Sequence, residues 1–296
     1  MKIWRVMELI NWTADYFKKN GIESARLDAE LLLGHILNKN RLQLYLDFEQ
    51  VVAKEYLAQY RELIKKRVER VPVAYLTNHK EFMSLSFYVD ESVLIPRPET
   101  EVLVETILKL SSDGCKALDL GTGSGAIVIA LATQRAEWKF AATDISTEAL
   151  VVAKKNAQQH EVAERITFLQ GDLFEPLQME HFGEDGDEFM KFDCIVSNPP
   201  YISSGEIPAL MPEVRDYEPR IAIDGGSTGL DFIDRLVAEA PKFLTENGRL
   251  VFEFGYQQGD AVRNLIQSNP QYTDCSIIKD YAGIERVAVA RVSPPY

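Results

Sequence analysis

Leu118-Asp119-Leu120-Gly121-Thr122-Gly123-Ser124-Gly125 runs straight into Ala126-Ile127-Val128-Ile129-Ala130-Leu131-Ala132. The apolar stretch Lys116–Leu120 reads as a buried strand, and the stretch after the glycines as a helix from Ala126 to about Thr133. Between them, three glycines in five residues permit a sharp backbone turn and a close approach of a ligand to the main chain. A helix that starts at such a turn directs free N–H groups back at it. Strand, glycine turn and helix in that order form one unit of an α/β fold.

Downstream the alternation continues. Trp138–Thr143 reads as a strand, Ser146–His160 as a helix, Ile166–Gln170 as a third strand and Phe192–Ser197 as a fourth, followed by Asn198–Tyr201. Leu230–Leu244 reads as a helix and Arg249–Phe254 as a fifth strand. Cys275–Lys279 and Arg286–Val292 read as a hairpin around Gly283. This pattern predicts a parallel sheet covered on both faces, with an antiparallel pair at one edge. Residues 180–191 are acidic and predict a solvated surface insertion.

Upstream the character differs. In residues 3–70, apolar positions recur at helical spacing: Val6, Leu9 and Ile10, then Leu27, Leu31 and Leu32, then Leu57, Leu63, Ile64 and Val68. A small helical bundle is expected. Val71-Pro72 interrupts it, and 81–90 (EFMSLSFYVD) reads as two short strands around a tight turn. Pro96 and Pro98 stiffen the run into a helix that begins near Glu99 or Thr100. The expected division is a helical domain at 1–75, a linker with a β-hairpin at 76–98, and an α/β domain at 99–296.

With 296 residues, 46% hydrophobic and 26% charged, the chain has ordinary globular composition and the length of two domains. The net charge of -13 is unevenly spread. Residues 1–90 hold 14 Lys+Arg against 12 Asp+Glu, and residues 91–296 hold 18 against 33. An acidic second half is a poor match for phosphate backbones or anionic membranes. Cys115, Cys194 and Cys275 have no metal-ligand spacing and predict buried thiols in a reducing cytoplasm. The charged N-terminus does not read as a signal peptide, and no apolar run reaches the roughly 20 residues that span a bilayer. No metal site is expected, because His35, His79, His160 and His181 form no ligand-spaced pair.

Polar residues recur where the strands end. Asp144 closes the second strand, 19 residues past Gly125, where a carboxylate can accept both hydroxyls of a ribose. Its plainer role would be to cap the next helix, which Ser146 fills better. Asp172 follows the third strand, where it can meet an adenine edge, and Leu173 can cover the ring. Asp119 could hold the glycine loop or lie near a cationic end of the ligand. The loop alone is compatible with a dinucleotide or with S-adenosylmethionine. Asn198-Pro199-Pro200-Tyr201 adds a second constraint, since two prolines hold an amide, exposed carbonyls and an aromatic face in one place. Such a turn suits a planar NH2 group on an sp2 carbon. The Asn198 oxygen and the Pro199 carbonyl can each accept one N–H, and Tyr201 can pack on the flat group. Methyl transfer to so weak a nucleophile needs positioning and desolvation more than a strong base.

The chain resembles the protein-(glutamine-N5) methyltransferases of peptide chain release factors, the HemK/PrmC family. The resemblance rests on Arg70-Val71-Pro72, Leu94-Ile95-Pro96-Arg97-Pro98-Glu99-Thr100-Glu101, Gly121–Gly125, Asp144-Ile145-Ser146 and Ser197–Ile202. It extends to Glu213–Pro219, Asp224-Gly225-Gly226, Gly229-Leu230-Asp231, Ala282-Gly283 and Arg286. It implies an α/β fold, a seven-stranded Rossmann-like class I methyltransferase sheet, behind a helical substrate-docking domain. It implies S-adenosylmethionine as cofactor, S-adenosylhomocysteine as product, and protein methylation in translation termination. Gly121, Thr122, Gly123, Ser124, Gly125, Asp144, Asp172, Leu173 and Asn198 would then bind cofactor. Asn198, Pro199, Pro200 and Tyr201 would hold the glutamine of a Gly-Gly-Gln motif. Arg97 is taken as a further substrate contact, its plainer role being an ion pair with Glu99 or Glu101. The expected partners are release factors, met by a monomer, with no nucleic acid and no membrane. Position 78, usually glycine in that family, is asparagine here, a residue that tolerates left-handed backbone.

Three rival readings differ in observable ways. A sister family methylates a ribosomal-protein glutamine and is expected to lack the run at 96–101. A nucleic-acid amino-methyltransferase would need a basic groove. The cluster Arg61, Lys65, Lys66, Arg67 and Arg70 reads more simply as one solvated helix face. A cofactor-sensing adaptor would not need an intact Asn-Pro-Pro-Tyr.

Overall fold

A computed structural model describes residues 3–178 and 191–293. Its first elements are helical: α1 (Val6–Lys19), α2 (Ala25–Leu37), α3 (Arg41–Leu46), α4 (Lys54–Val68) and α5 (Val73–Thr77). A short hairpin of β1 (Lys80–Phe82) and β2 (Leu85–Phe87) follows. Strands and helices then alternate through α6 (Glu101–Leu110), β3 (Lys116–Leu120), α7 (Ala126–Gln134), β4 (Lys139–Asp144), α8 (Thr147–Gln159) and β5 (Ile166–Gln170). The rest is β6 (Phe192–Ser197), α9 (Pro212–Arg215), α10 (Asp231–Glu239), β7 (Leu244–Glu253), α11 (Gly259–Ser268), β8 (Tyr272–Lys279) and β9 (Glu285–Val292). The insertion expected at 180–191 lies, apart from Lys191, outside the described residues.

The chain groups into two units. One is Met1–His79 with Met211–Tyr217, and the other is Lys80–Leu210 with Glu218–Tyr296. The short α9 thus belongs with the helices, a grouping that no local periodicity signals.

In the helical unit, α1 starts where the Arg5 N–H donates to the Glu8 carboxylate (3.3 Å), placing an acid in the positive first turn. Val6, Leu9, Ile10 and Phe17 bury one stripe against Ala29, Leu32 and Leu33 of α2 and Tyr60 and Ile64 of α4. The Tyr60 hydroxyl donates to the Ala29 carbonyl (3.0 Å), which satisfies its polar end inside the core. Asn78 takes φ +49°, the left-handed backbone its side chain tolerates.

Two expectations are corrected here. Leu27 and Leu31 are 42% and 38% exposed, while Asp28 between them is 4% exposed. Arg67 does not lie on a solvated face: it is 5% exposed. The two faults have one cause, because Arg67 Nε donates to Asp28 Oδ2 at 2.7 Å. Its Nη2 donates to Glu213 Oε1 (3.0 Å), which also accepts from Arg70 Nη1 (3.2 Å). A hydrogen-bonded ion pair has taken the interior place that periodicity assigned to leucine.

In the α/β unit, the seven-stranded sheet has the order β5-β4-β3-β6-β7-β9-β8. The first five strands are parallel, and β9 lies antiparallel between β7 and β8. Successive strand residues enter opposite cores, as a period of two requires. Ala117, Cys194, Val196 and Val251 pack with α6 and α7 on one face. Leu118, Ile195, Leu250 and Phe252 pack with α10 and α11 on the other. With both faces covered, the central strands read as continuous apolar runs.

β7 starts five residues before the expected Arg249. It pairs Phe192 with Leu244 and Cys194 with Arg249, with an irregularity between that absorbs Asn247 at φ +61° and Gly248. The helix expected over 230–244 accordingly ends at Glu239, followed by a single 3-10 turn, Ala240–Lys242. α11 was not anticipated, although Val262 and Ile266, spaced by four, bury its inner face. The sheet grows in opposite directions from β3, through β4 on one side and β6 on the other. A crevice opens at the carboxyl ends of strands where the order reverses in this way.

Candidate active site

A cavity of about 430 Å3 fills that crevice, within the roughly 300–1,000 Å3 usual for small-molecule sites. Its floor is the glycine loop. Gly121, Gly123 and Gly125 all have positive φ, at +69°, +55° and +80°. A Cβ at Gly121 or Gly123 would meet no protein atom within 4 Å, whereas at Gly125 it would lie 2.8 Å from Ile129 and 3.3 Å from Ala153. The first two glycines therefore leave backbone open toward the cavity, and the third permits packing of α7 against α8. The loop is tied to β4 because the Gly121 and Thr122 N–H groups both donate to the Thr143 carbonyl (2.9 and 3.0 Å).

Asp144 ends β4 and stands on the cavity wall. Its Oδ2 accepts from the Gly123 N–H (2.8 Å) and its Oδ1 from the Ser146 N–H (2.9 Å). The capping role falls to Ser146, whose hydroxyl accepts from the Ala149 N–H (3.0 Å). Burial raises the Asp144 pKa, and these backbone donors oppose the rise. Asp172 lines the cavity too, paired with Arg235 at 2.7 Å. Leu173 is buried there at φ +49°, its carbonyl accepting the Thr143 hydroxyl (3.1 Å). Asp119 lies beneath the loop, accepting from the Thr122 hydroxyl (2.7 Å), and burial pushes its carboxyl up to about 7.

Asn198, Pro199 and Pro200 form the opposite wall. Several bonds fix their turn. The Ile202 N–H donates to Ile223 (3.1 Å), the Gly225 N–H to Ile202 (2.8 Å), and Gln258 Nε2 to the Tyr201 carbonyl (2.9 Å). Gly225 passes so close that a Cβ there would stand 2.7 Å from the Pro200 carbonyl oxygen and 2.8 Å from Tyr201 Cα. Gly225→Ala must displace one backbone or the other. We expect it to lower activity about 100-fold and the unfolding midpoint by several degrees, read by turnover assay and calorimetry; wild-type values for both would show that the close approach of Gly225 does not matter.

The structure brings Gly121–Ser124, Asp144, Asp172, Leu173 and Asn198–Pro200 together around one cavity. Gly125, Tyr201 and Arg97 are not on its wall. Tyr201 braces the turn from behind, its hydroxyl donating to Glu253 Oε1 (3.0 Å). Arg97 pairs with the buried Glu218, which also accepts from the Ile95 N–H (3.4 Å), and not with Glu99 or Glu101. Glu101 is engaged elsewhere, accepting from the Met83 N–H (2.7 Å).

Sequence reasoning missed three contributors. The 76–98 segment supplies Phe82, Ser92–Leu94 and Pro96 to the cavity wall. Its buried Val89, Val93 and Ile95 were the available signal. Thr100 sits where the sequence predicts a helix start, and it also lines the cavity and accepts from Asn198 Nδ2 (3.2 Å). Glu253, the single acid in Leu250-Val251-Phe252-Glu253-Phe254, is 1% exposed and accepts from the Thr100 hydroxyl (2.7 Å). Burial raises its pKa, and the Thr100 and Tyr201 hydroxyls and Arg286 oppose the rise. Cys115 and Cys194 are buried and Cys275 is half-buried. Among the described residues no acid, His or Cys group could hold a metal, and no helix is long and apolar enough to cross a membrane.

Sheet order, open glycine loop and Asn-Pro-Pro wall together define an S-adenosylmethionine-dependent methyltransferase of the class I type, and residues 111–285 match the family model described as a methyltransferase domain. Residues 8–77 match the model described as the PrmC N-terminal domain. The chain belongs to the release factor glutamine methyltransferase family. The release factor glutamine methyltransferase of Geobacter sulfurreducens is 41% identical, over 98% of this chain and 98% of its own. That of Rhodopirellula baltica is 42% identical, over 96% of this chain and 95% of its own. A solved methyltransferase from Pyrococcus furiosus shares the fold, with a TM-score of 0.53 at 18% identity, covering 78% of this chain and 100% of that one.

Proposed function

We propose that the chain methylates the side-chain amide nitrogen, N5, of the glutamine in the Gly-Gly-Gln motif of peptide chain release factors. The observation that carries this reading is that the Asn198–Pro200 turn and the glycine loop line one cavity. When bound, S-adenosylmethionine supplies an electrophilic methyl group on a cationic sulfur. The residues that would hold it are Gly121–Ser124, Asp144, Asp172 and Leu173. The open backbone at Gly121 and Gly123 and the carboxylate ending β4 fit such a group.

Asn198 and Pro199 deal with the acceptor. An amide lone pair is delocalised into its carbonyl and attacks poorly. Asn198 Oδ1 and the Pro199 carbonyl each accept one N–H, which orients the nitrogen and favours pyramidal geometry. With that group bound, Asn198 and Pro199 would hold the nitrogen in line with the methyl group, so that an N–C bond could replace the S–C bond and the extra amide proton could leave to solvent. Aligning the two groups is the main contribution required of the protein. Tyr201 holds this turn through Glu253.

Asp144→Ala should weaken S-adenosylmethionine binding about 10- to 100-fold, since a charged acceptor of ribose hydroxyls contributes roughly 1.5–3 kcal/mol. Calorimetric titration would decide it, and unchanged affinity would remove Asp144 from the cofactor site. The function itself is tested by mass spectrometry of a release factor incubated with enzyme and S-adenosylmethionine. One added methyl on the Gly-Gly-Gln glutamine is the expected result. Methyl on a ribosomal protein or on DNA, with none on the release factor, would overturn it. The net charge of residues 91–296 supports a protein partner over nucleic acid. A monomer acting in the cytoplasm completes the proposal.

A further inference from the structure

We propose that Glu253 and Thr100 are positioning residues that set the direction of the Asn198 carboxamide. The proposal deepens the reading of Asn198 as the acceptor for the substrate amide and rests on it. Four groups form one chain. Asn198 Nδ2 donates to Thr100 Oγ1 (3.2 Å), Thr100 Oγ1 donates to Glu253 Oε2 (2.7 Å), and the Tyr201 hydroxyl donates to Glu253 Oε1 (3.0 Å). The fold brings them together without help from local sequence. Glu253 ends β7, whose neighbour β6 runs parallel and pairs Ser197 with Phe252, so Asn198 and Glu253 emerge side by side. Thr100 comes from the start of α6, 153 residues from Glu253 along the chain.

The polarity of this chain is decided at its buried end. In its ionised form Glu253 only accepts, so both hydroxyls that reach it donate to it. The Thr100 hydroxyl has one hydrogen. Once that hydrogen is committed to Glu253, Oγ1 can only accept, and the group it faces must be the Asn198 NH2. The Asn198 oxygen is thereby left for the cavity. A carboxamide is nearly symmetric in shape, so packing alone does not choose between its two orientations. Without the carboxylate, the Thr100 hydroxyl can donate to Asn198 Oδ1. The amide then presents its NH2 to the cavity, where it meets the N–H groups of the incoming glutamine. The same carboxylate fixes the other end of the turn through Tyr201, so one buried acid orients Asn198 and anchors the last residue of Asn-Pro-Pro-Tyr.

Glu253→Gln keeps the shape and breaks the polarity, because a carboxamide can accept from only one hydroxyl through its oxygen and donates from the other side. Thr100→Val keeps the shape and removes the link, and Thr100→Ser keeps the link. The measurements are kcat and KM for methyl transfer to release factor, S-adenosylmethionine affinity by calorimetry, and the unfolding midpoint. We expect Glu253→Gln and Thr100→Val to lower kcat about 10- to 100-fold. KM and cofactor affinity should stay within about threefold, and Thr100→Ser should retain at least about half of wild-type kcat. Wild-type kcat in Thr100→Val would overturn the proposal. So would a Thr100→Ser defect as deep as that of Thr100→Val. Parallel loss of cofactor binding and midpoint in both shape-keeping variants would also overturn it, by making the network a general strut. If the wild-type enzyme leaves the release factor unmethylated, the proposed function fails instead, and the same variants are read on the acceptor that is methylated.

Discussion

Asn198→Ala is expected to lower kcat by on the order of 100- to 1,000-fold while the unfolding midpoint moves by only a few degrees. The magnitude is that of removing one preorganised polar group aimed at a reacting centre, about 2.7–4 kcal/mol. Asn198 is half-buried on the cavity wall, and among the described residues its side chain bonds to Thr100. The turn around it is held by other means: Ile202 with Ile223, Gly225 with Ile202, and Gln258 with Tyr201. Truncation therefore removes the acceptor without releasing the backbone. Single-turnover methyl transfer with saturating cofactor measures the effect. Near-wild-type turnover would move the acceptor role elsewhere. A collapse of the midpoint would instead make Asn198 a structural residue.

The second large effect is on stability. Arg67→Ala should cost the helical unit about 3–5 kcal/mol, the loss typical when one member of a buried ion pair is removed. Arg67 and Asp28 side chains are each only 6% exposed, so Asp28 would be left in the interior without its partner. Glu213 fares better because Arg70 still reaches it at 3.2 Å. Replacing both members, Asp28→Leu with Arg67→Met, should recover most of the loss, since a buried pair and an apolar pair of similar volume often differ little. Denaturant unfolding of the full chain reads both variants. A single-variant loss below about 1 kcal/mol would show the pair to be open to solvent.

What was legible in the sequence was local. The glycine turn, the acid at the end of the second strand and the Asn-Pro-Pro turn announce themselves because each sits where a strand stops, in residues that only such a turn requires. The alternation of strands and helices and the antiparallel edge followed from periodicity alone. What was not legible is pairing across distance. Thr100 with Glu253, Arg97 with Glu218 and Asp28 with Arg67 lie 153, 121 and 39 residues apart. No periodicity encodes such partners. The same blindness placed Leu27 and Leu31 in the core, because a hydrophobic pattern cannot anticipate that an aspartate with a buried partner will outcompete leucine for the inner face. It also reduced 76–98 to a connector, although Phe82 and Ser92–Leu94 wall the cavity.

The grouping of Met211–Tyr217 with the helices has a consequence in time. Glu213 follows Arg67 by 146 residues. At the roughly 5–20 residues per second of ribosomal synthesis, it is made about 7–30 s later. Asp28 precedes Arg67 and can meet it at once, but the second carboxylate arrives only after β3, β4, β5 and β6 have been synthesised. The first part of the chain to be made is therefore among the last to be completed. A nascent chain halted before Glu213 carries its helices with Arg67 and Arg70 still lacking their shared counter-charge.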